Sequence, residues 1–406
     1  MSSFNYKEHR EAFVETDPDL KLNHKMFSTA AVNAFVEHNS SSRCLMMSSH
    51  ISQAVVINEP KENMIQTGLE SELAKYTVAK IVENDSEILS VIKRYNFLGE
   101  ENKVASRLVV IRDIETGELD IVDIPYHNAY HPYFGFKFNL NEELDTYVRG
   151  DVISKGTRLA TPPTILEDGG YGIGRDVNVC NMSLPEVDED GIVVSKSFCE
   201  NFKFKLFDTR TIEVGDDSFL LNIYGDENEY KPFPEIGDYI NDEGVVAVKR
   251  KYDPLYGPCL YSAKDTTEFN PLFDDAVYTR GKGGKIVDIK CYYSPRRKKS
   301  LPSGTDELCF KYSNALITYY NQIIETYDSI NRDYKKVFNK DIQVSNRFNA
   351  LLVEAYGVVD SSFHGTKCKK MYRKESLDLF RLEFTIEYTI TPGIGQKFTG
   401  LAGDDF

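Results

Sequence analysis

From residue 379 to residue 390 two sets of side chains alternate without a break. Leu379, Arg381, Glu383, Thr385, Glu387 and Thr389 interleave with Phe380, Leu382, Phe384, Ile386, Tyr388 and Ile390. Successive side chains of a strand point to opposite faces, so this period of two predicts a long, half-buried strand. Between about 305 and 357 the period changes. Leu316, Tyr320, Ile323, Tyr327, Ile330, Tyr334 and Val337 step by four and three, and Val344, Phe348, Leu351 and Ala355 answer on a second segment after a short break. Two such seams predict an antiparallel helical hairpin whose apolar stripes face each other within the chain.

The first half of the chain is mostly strand-like. Short runs rich in Val, Ile and Tyr, such as Lys103–Ile114 and Glu118–Tyr126, are separated by Gly, Asn, Asp and Glu turns from about 53 to 160. Before them, residues 26–38 predict a short amphipathic helix, followed by a cap or turn cluster, Asn39-Ser40-Ser41-Ser42. A phrase recurs at Gly150-Asp151-Val152-Ile153 and Gly237-Asp238-Tyr239-Ile240, each closed by a second glycine, Gly156 or Gly244. A turn glycine opens a very short strand and another ends it, which suits small barrels or sandwiches and reads as architecture.

With 406 residues and 41% hydrophobic content, the chain can bury cores in about two or three domains. No window approaches about 18 consecutive apolar residues, and the opening Met1–Phe13 is charged and polar, so a cytoplasmic protein without membrane contact is expected. The seven cysteines are scattered with no CxxC pair, which predicts reduced, mostly buried thiols. A net charge of -15 argues against a surface that binds nucleic acid throughout. Three basic knots remain, at 249–251, 296–299 and 367–374, and each alone reads as solvated loop charge.

Several motifs carry less chemistry than they suggest. Gly169-Gly170-Tyr171-Gly172-Ile173-Gly174 lacks the preceding strand and following helix of a dinucleotide loop; a β-like run, Val177–Met182, follows instead. His127 and His131 have the spacing of helical metal ligands, but Pro125 and Pro132 forbid a regular helix, so they read as turn residues. Asp188-Glu189-Asp190 at the mouth of an apolar strand suits either an acidic turn or a carboxylate group facing a metal-bound triphosphate. Arg43, beside Cys44-Leu45-Met46-Met47, suits either a phosphate contact or a helix-end charge.

Taken in order, these blocks resemble one family. Phe35-Val36-Glu37-His38, Arg43-Cys44-Leu45-Met46, Gln53-Ala54-Val55 and Gln66-Thr67-Gly68-Leu69-Glu70 resemble, in order and spacing, a signature stretch of the bacterial RNA polymerase β subunit. Arg149–Val152, Gly174–Val177, Glu189–Ser195 and Pro392–Gly400 resemble later segments of the same family in the same order.

The resemblance implies an α+β fold, predominantly β: part of a double-psi β-barrel with a β-rich connector, a flap-like domain and the helical hairpin. On the family pattern, residues 1–75 begin the hybrid-binding region, 76–150 form the connector, and 151–200 a barrel segment. Residues 201–303 would form the flap-like domain, 304–357 the hairpin, and 358–406 the terminal barrel strand and lysine loop. The same pattern implies a split β subunit such as giant bacteriophages use, in which an exposed strand edge is completed by a second polypeptide and the chain ends where that partner begins.

Residue by residue, the resemblance places Arg43 at the incoming nucleotide's triphosphate, with Gln53 also on the substrate side. It places Glu189 and Asp190 near the second magnesium and Lys397 against RNA at the 3′ end. These residue types suit those tasks: an arginine fork matches phosphate, a lysine offsets backbone charge, and acids assist a metal-bound triphosphate. Magnesium itself would be held mainly by a β′-type subunit, leaving this chain inert alone. The implied partners are a C-terminal β fragment, β′-type subunits, a promoter-specificity factor, template DNA, transcript RNA and nucleoside triphosphates, with no homo-oligomer. Ser52 and Asp405 stand where the family has an arginine and a second lysine, which reduces the expected positive lining. The competing expectation is an inactive, β-rich structural or assembly protein of a virion with a polymerase-like scaffold.

Overall fold

A computed structural model describes residues 29–75, 77–94, 106–129, 134–185, 187, 191–215, 217–252, 255, 264–279, 282–293, 305–359 and 380–395. Along them run α1 (Ser41–Gln53), α2 (Glu70–Ala74), β1 (Lys80–Ile81), β2 (Ser86–Lys93), β3 (Arg107–Asp113), β4 (Leu119–Ile124), β5 (His127–Ala129), β6 (Phe134–Lys137), β7 (Asn139–Leu140), β8 (Val152–Ile153) and β9 (Arg158–Thr161). There follow α3 (Lys196–Asn201), β10 (Phe204–Val214), β11 (Ser218–Leu220), β12 (Val245–Lys251), β13 (Asp275–Tyr278), β14 (Lys285–Tyr293), α4 (Thr305–Phe338), α5 (Asn346–Val359) and β15 (Phe380–Ile390). The strands form four sheets, ordered β14-β15-β10-β6-β5, β4-β3-β2-β8, β11-β12-β13 and β1-β9-β7, with sheet dominating a mixed α+β fold.

The alternation at 380–390 forms the strand it predicts. Phe380, Leu382, Phe384, Ile386 and Tyr388 are all buried, and each contributes about 1.5–3 kcal/mol by leaving water. Opposite them Gly284 lies so close that a Cβ would stand 2.6 Å from Ile386 Cγ2 and from the Tyr388 ring. The strand is paired on both sides, with β10 from Phe204↔Ile390 to Val214↔Phe380 and with β14 from Lys285↔Glu387 to Tyr293↔Phe380. An exposed edge waiting for a partner is therefore not at this strand: two long β-forming stretches of the same chain already occupy its edges.

The hairpin is also present, but its seams do not simply face each other. Leu316, Tyr320, Ile323, Ile330, Phe348 and Ala355 share one core with Leu89, Ile92, Leu108, Val110, Leu119 and Ile121 of β2, β3 and β4. The hairpin thus lies on a sheet, because its apolar stripe is wider than a two-helix seam can cover. Val344 is not helical; it bridges Leu119 in parallel, and Leu119 N–H donates to Gln343 O at 2.9 Å while Ser345 N–H donates to Leu119 O at 2.8 Å. Asp120 anchors the start of α5, accepting from Ser345 Oγ at 2.6 Å and Arg347 Nε at 2.7 Å. Val337, the last residue of the predicted seam, is 73% exposed, since the heptad pattern outlasts the core beneath it.

The helix expected over 26–38 is replaced, in its described part, by two short 3₁₀ turns, Thr29–Val32 and Val36–His38, with Phe35 between them in the left-handed region at φ 60°. The α-helix begins where the cap or turn cluster was expected to follow one. Ser40 acts as its N-cap, its Oγ accepting from Arg43 N–H at 3.4 Å, so the serines start a helix here.

Both copies of the recurring phrase fold alike. Gly150 and Gly237 donate to Ile88 O and Ile286 O at 2.9 and 2.8 Å, and Ile88 and Ile286 donate back to Asp151 O and Asp238 O at 2.8 and 2.9 Å. Their opening glycines have φ of 101° and 99°, and Ile153 and Ile240 are buried. The knot at 249–251 is likewise structural. Arg250 donates through Nε and Nη2 to both carboxylate oxygens of Asp274 at 2.7 Å, tying β12 to the turn before β13. Burial pushes the Asp274 carboxyl up, but the Arg250 bonds and the Asn270 N–H outweigh it and hold the group below the usual carboxylate range. The knots at 296–299 and 367–374 lie outside the described residues. Cys44, Cys291 and Cys309 are buried thiols, as expected, whereas Cys180 is exposed and Cys199 half-buried.

Candidate functional site

Helix α1 turns Cys44, Met47 and Ile51 inward, a three-and-four spacing on one face, and packs Met47 and Ile51 against Val32, Leu73 and Ile173. The rest of the helix surface carries Arg43, Leu45, Met46, Ser49, Ser52 and Gln53, all exposed. Arg43 sits in the first turn, its Nη1 3.9 Å from Met46 Sδ, and Gln53 ends the helix. Ten residues of α-helix separate them by about 15 Å, so the two occupy opposite ends of one exposed face and do not converge on a single atom.

The chain after α1 is fastened to segments more than a hundred residues away. Asn58 N–H donates to Lys203 O and Lys61 N–H to Gly174 O, both at 2.8 Å. Arg175 reaches Glu59 twice, Nε to the backbone oxygen at 2.8 Å and Nη2 to Oε2 at 3.0 Å, and donates through Nη1 to Asn201 Oδ1 at 3.2 Å. Asp176 Oδ2 accepts from Met64 N–H at 2.7 Å. The following turn is closed by buried Glu70, whose carboxylate accepts from the N–H groups of Thr67 and Gly68 at 2.7 Å each. Gly68 holds φ at 85°, a conformation that favours glycine.

A second chain of pairings brings in the end of β15. Ile57 bridges Phe204, and Phe204 is the register partner of Ile390. Strands lie about 4.8 Å apart, so the segment leaving α1 and the segment leaving β15 toward 391–395 sit about 10 Å from each other. Next to Phe204, Lys205 pairs with Glu387 and donates to Thr389 Oγ1 at 2.8 Å. Glu387 also accepts from the Tyr126 hydroxyl at 2.7 Å.

Of the residues singled out in the sequence, Arg43 and Gln53 are thus placed on the exposed face of α1. Glu189, Asp190 and Lys397 lie outside the described residues. The β-like run Val177–Met182 does not form a strand. It is irregular and exposed, because a strand needs a hydrogen-bonded neighbour and, among the described residues, none lies beside it. Val179, Met182 and Val193 are left largely bare. The Gly169–Gly174 stretch is a turn: Ile165 bridges Tyr171, and Gly172 is pressed against Leu166, Pro60 and Lys61. His127 opens β5 and stacks on Phe207 with ring centroids 4.0 Å apart, while His131 lies outside the described residues.

Arg175, Glu59 and Asn201 received no role from sequence, since nothing in a linear pattern announces a pairing across 116 residues. Glu70 was legible in principle: Thr67-x-x-Glu70 has the spacing of a capping box.

No protein-family model matches the chain. It is similar to proteins named DNA-directed RNA polymerase subunit beta from Wolbachia pipientis, 25% identical over 244 residues, and from Acholeplasma laidlawii, 22% identical over 317 residues. The matches cover 59% and 67% of this chain, and 16% and 24% of those relatives. The subunit of the same name from Thermus thermophilus is 25% identical over 264 residues, 63% of this chain and 21% of the relative. The chain therefore spans a sixth to a quarter of the length of these curated relatives. Among the described residues no helix is long and apolar enough to cross a membrane. Over the matched residues, this chain is homologous to the β subunits of DNA-directed RNA polymerase.

Proposed function

We propose that the chain works as a β-type part of a multisubunit DNA-directed RNA polymerase, forming one wall of the active centre and the flap over the RNA exit path. The observation that carries this reading is the convergence of sequence-distant blocks. Gln53–Glu70, Gly174–Asp176 and the exit of β15 toward Lys397 gather around Glu59, Arg175, Ile57, Phe204 and Ile390. Gly174–Asp176 is one of the blocks that carry the resemblance, and the segment it holds runs between two others, Gln53–Val55 and Gln66–Glu70.

On this reading Arg43 presents its guanidinium to the triphosphate of the incoming nucleotide, and Gln53 contacts substrate at the other end of α1. Lys397, in the sequence that follows β15, offsets the charge of the RNA backbone at the growing end. Arg175 is a positioning residue that holds the segment 57–66 after α1 through Glu59. Among the described residues no three His, Cys, Asp or Glu side chains gather as metal ligands. By the family resemblance magnesium is held mainly by a β′-type partner, with Glu189 and Asp190 near its second ion. Magnesium supplies charge stabilisation for nucleotidyl transfer. The exposed Val177–Met182 segment, β-like in its residues though irregular in this chain alone, fits completion of a double-psi barrel by backbone from elsewhere in the complex.

Affinity purification of the tagged chain from its native host tests the assignment. A stoichiometric β′-type polypeptide should co-elute, together with template-dependent RNA synthesis. Co-elution of virion structural proteins alone would overturn the assignment in favour of an inactive scaffold.

A further inference from the structure

Helix α4 and the turn after it carry a tip beyond the core. Ile330 and Ile342 are the last buried residues on the two sides, and Asn331 closes the neck between them. Its Nδ2 donates to Asp341 Oδ1 at 3.0 Å and its Oδ1 accepts from Ile342 N–H at 3.0 Å. Past this neck every residue from 332 to 341 is exposed except half-buried Tyr334. Ten residues there hold four cations, Arg332, Lys335, Lys336 and Lys340, against two carboxylates, in a chain whose net charge is -15.

The tip does nothing for the core, yet it is not built like an ordinary turn. Phe338 is 57% exposed, and its ring stands 4.5 Å from that of Tyr334. Lys335 pairs with Asp341 at 3.0 Å and Lys336 with Asp333 at 3.2 Å, but all four side chains are more than half exposed. Such pairs are worth about 0–1 kcal/mol, so a stronger anion can replace either carboxylate. On the helix, Arg332, Lys335 and Lys336 fall on one stripe, and Phe338 lies on the flank nearest Lys335.

We infer that the tip of this hairpin binds single-stranded nucleic acid, its cations holding backbone phosphates while Phe338 offers its ring to an unstacked base. Two observations favour this occupant. Four cations against two carboxylates make the tip a locally positive patch on a chain of net charge -15, so it attracts a polyanion. A bare aromatic ring beside those cations is the pairing that recognises unpaired bases, whereas an acidic protein segment would use the cations without needing the ring. The hairpin is also firmly held, since α4 is packed into two cores below the neck. The inference goes beyond the polymerase assignment and does not depend on it.

The test uses the full chain and a fluorescently labelled oligothymidylate of about 20 nucleotides, read by anisotropy across a salt series. Binding should weaken with salt with a log–log slope of about -2 to -3, as expected for three or four phosphate contacts on a single strand. The variant combining Lys335→Glu, Lys336→Glu and Lys340→Glu should bind at least about 10-fold more weakly, with a flattened slope. Phe338→Ala should lose about 5- to 100-fold with the slope unchanged. Circular dichroism should show both variants folded, because these residues lie outside the core. Absence of binding, or wild-type affinity in both variants, overturns the inference. So does insensitivity to Phe338→Ala with equal competition by polyglutamate, which would mark the tip as a dock for acidic protein. None of these results touches the co-purification test, so the two readings fail separately.

Discussion

Burial pushes the His127 pKa down to about 4, and the ring lies flat on Phe207. Asp288 and Glu387 pull the value back up, while Lys290 and Arg94 lower it further. The folded value lies below the ordinary one of about 6.5, so the unfolded chain takes up this proton first as pH falls. The stabilisation is fully present above about pH 6.5 and is lost between there and about pH 4, on the order of 3 kcal/mol in all. Urea denaturation of the wild type and His127→Gln at pH 7.5 and 4.5 isolates this group, because the other titrating carboxylates are common to both. The wild type should lose more stability on acidification than the variant; equal losses would show that His127 is not kept neutral by its surroundings. The same scale explains Arg175. Its three hydrogen bonds hold two segments together, yet its sequence context marks it only as one letter of a block, because long-range partners leave no local signature.

Among the elements, the hairpin separates pattern from packing. Phe348 and Val337 both belong to the apolar repeat, but Phe348 is fully buried, edge-on to Tyr327, while Val337 stands in solvent. Phe348→Ala should therefore destabilise the chain by about 3–5 kcal/mol, and Val337→Ala by no more than about 0.5 kcal/mol, in chemical denaturation. Similar costs for both would mean that the two helices form a self-contained coiled seam. Periodicity named the buried face of these helices correctly through Leu316, Tyr320 and Ile323. It could not name the sheet of β2, β3 and β4 beneath, since a stripe of apolar residues fits any complementary surface. The strand β15 was legible for the converse reason: a strict alternation of this length has one reading. Its neighbours were not legible, because β pairing is settled by contacts between residues far apart in sequence. For Val177–Met182 the β tendency is written in the residues, but the neighbour that would make it a strand is not among the described ones.

At the scale of the molecule, α4 is the beam. Its 34 residues span about 51 Å; Cys309 and Tyr312 lie in the core of β10, β14 and β15, and Leu316 to Ile330 in the core of β2, β3 and β4. The sheet that ends at the candidate site and the sheet that bears the hairpin are thus joined by one helix. The candidate site was legible mainly as a resemblance. Arg43 and Gln53 were named from matched blocks, and their separation along α1 became visible only in three dimensions. The gathering of Ile57, Phe204 and Ile390, which gives the site its location, depends on pairings that no single block contains. The most direct measurement is RNA synthesis by the purified complex, comparing the wild type with Lys397→Ala at matched subunit stoichiometry. With Lys397→Ala the complex should stay intact while template-dependent incorporation falls by about 100-fold, as for loss of a charge-stabilising contact at a reacting centre. Unchanged transcript yield from an intact complex would contradict the role assigned to Lys397.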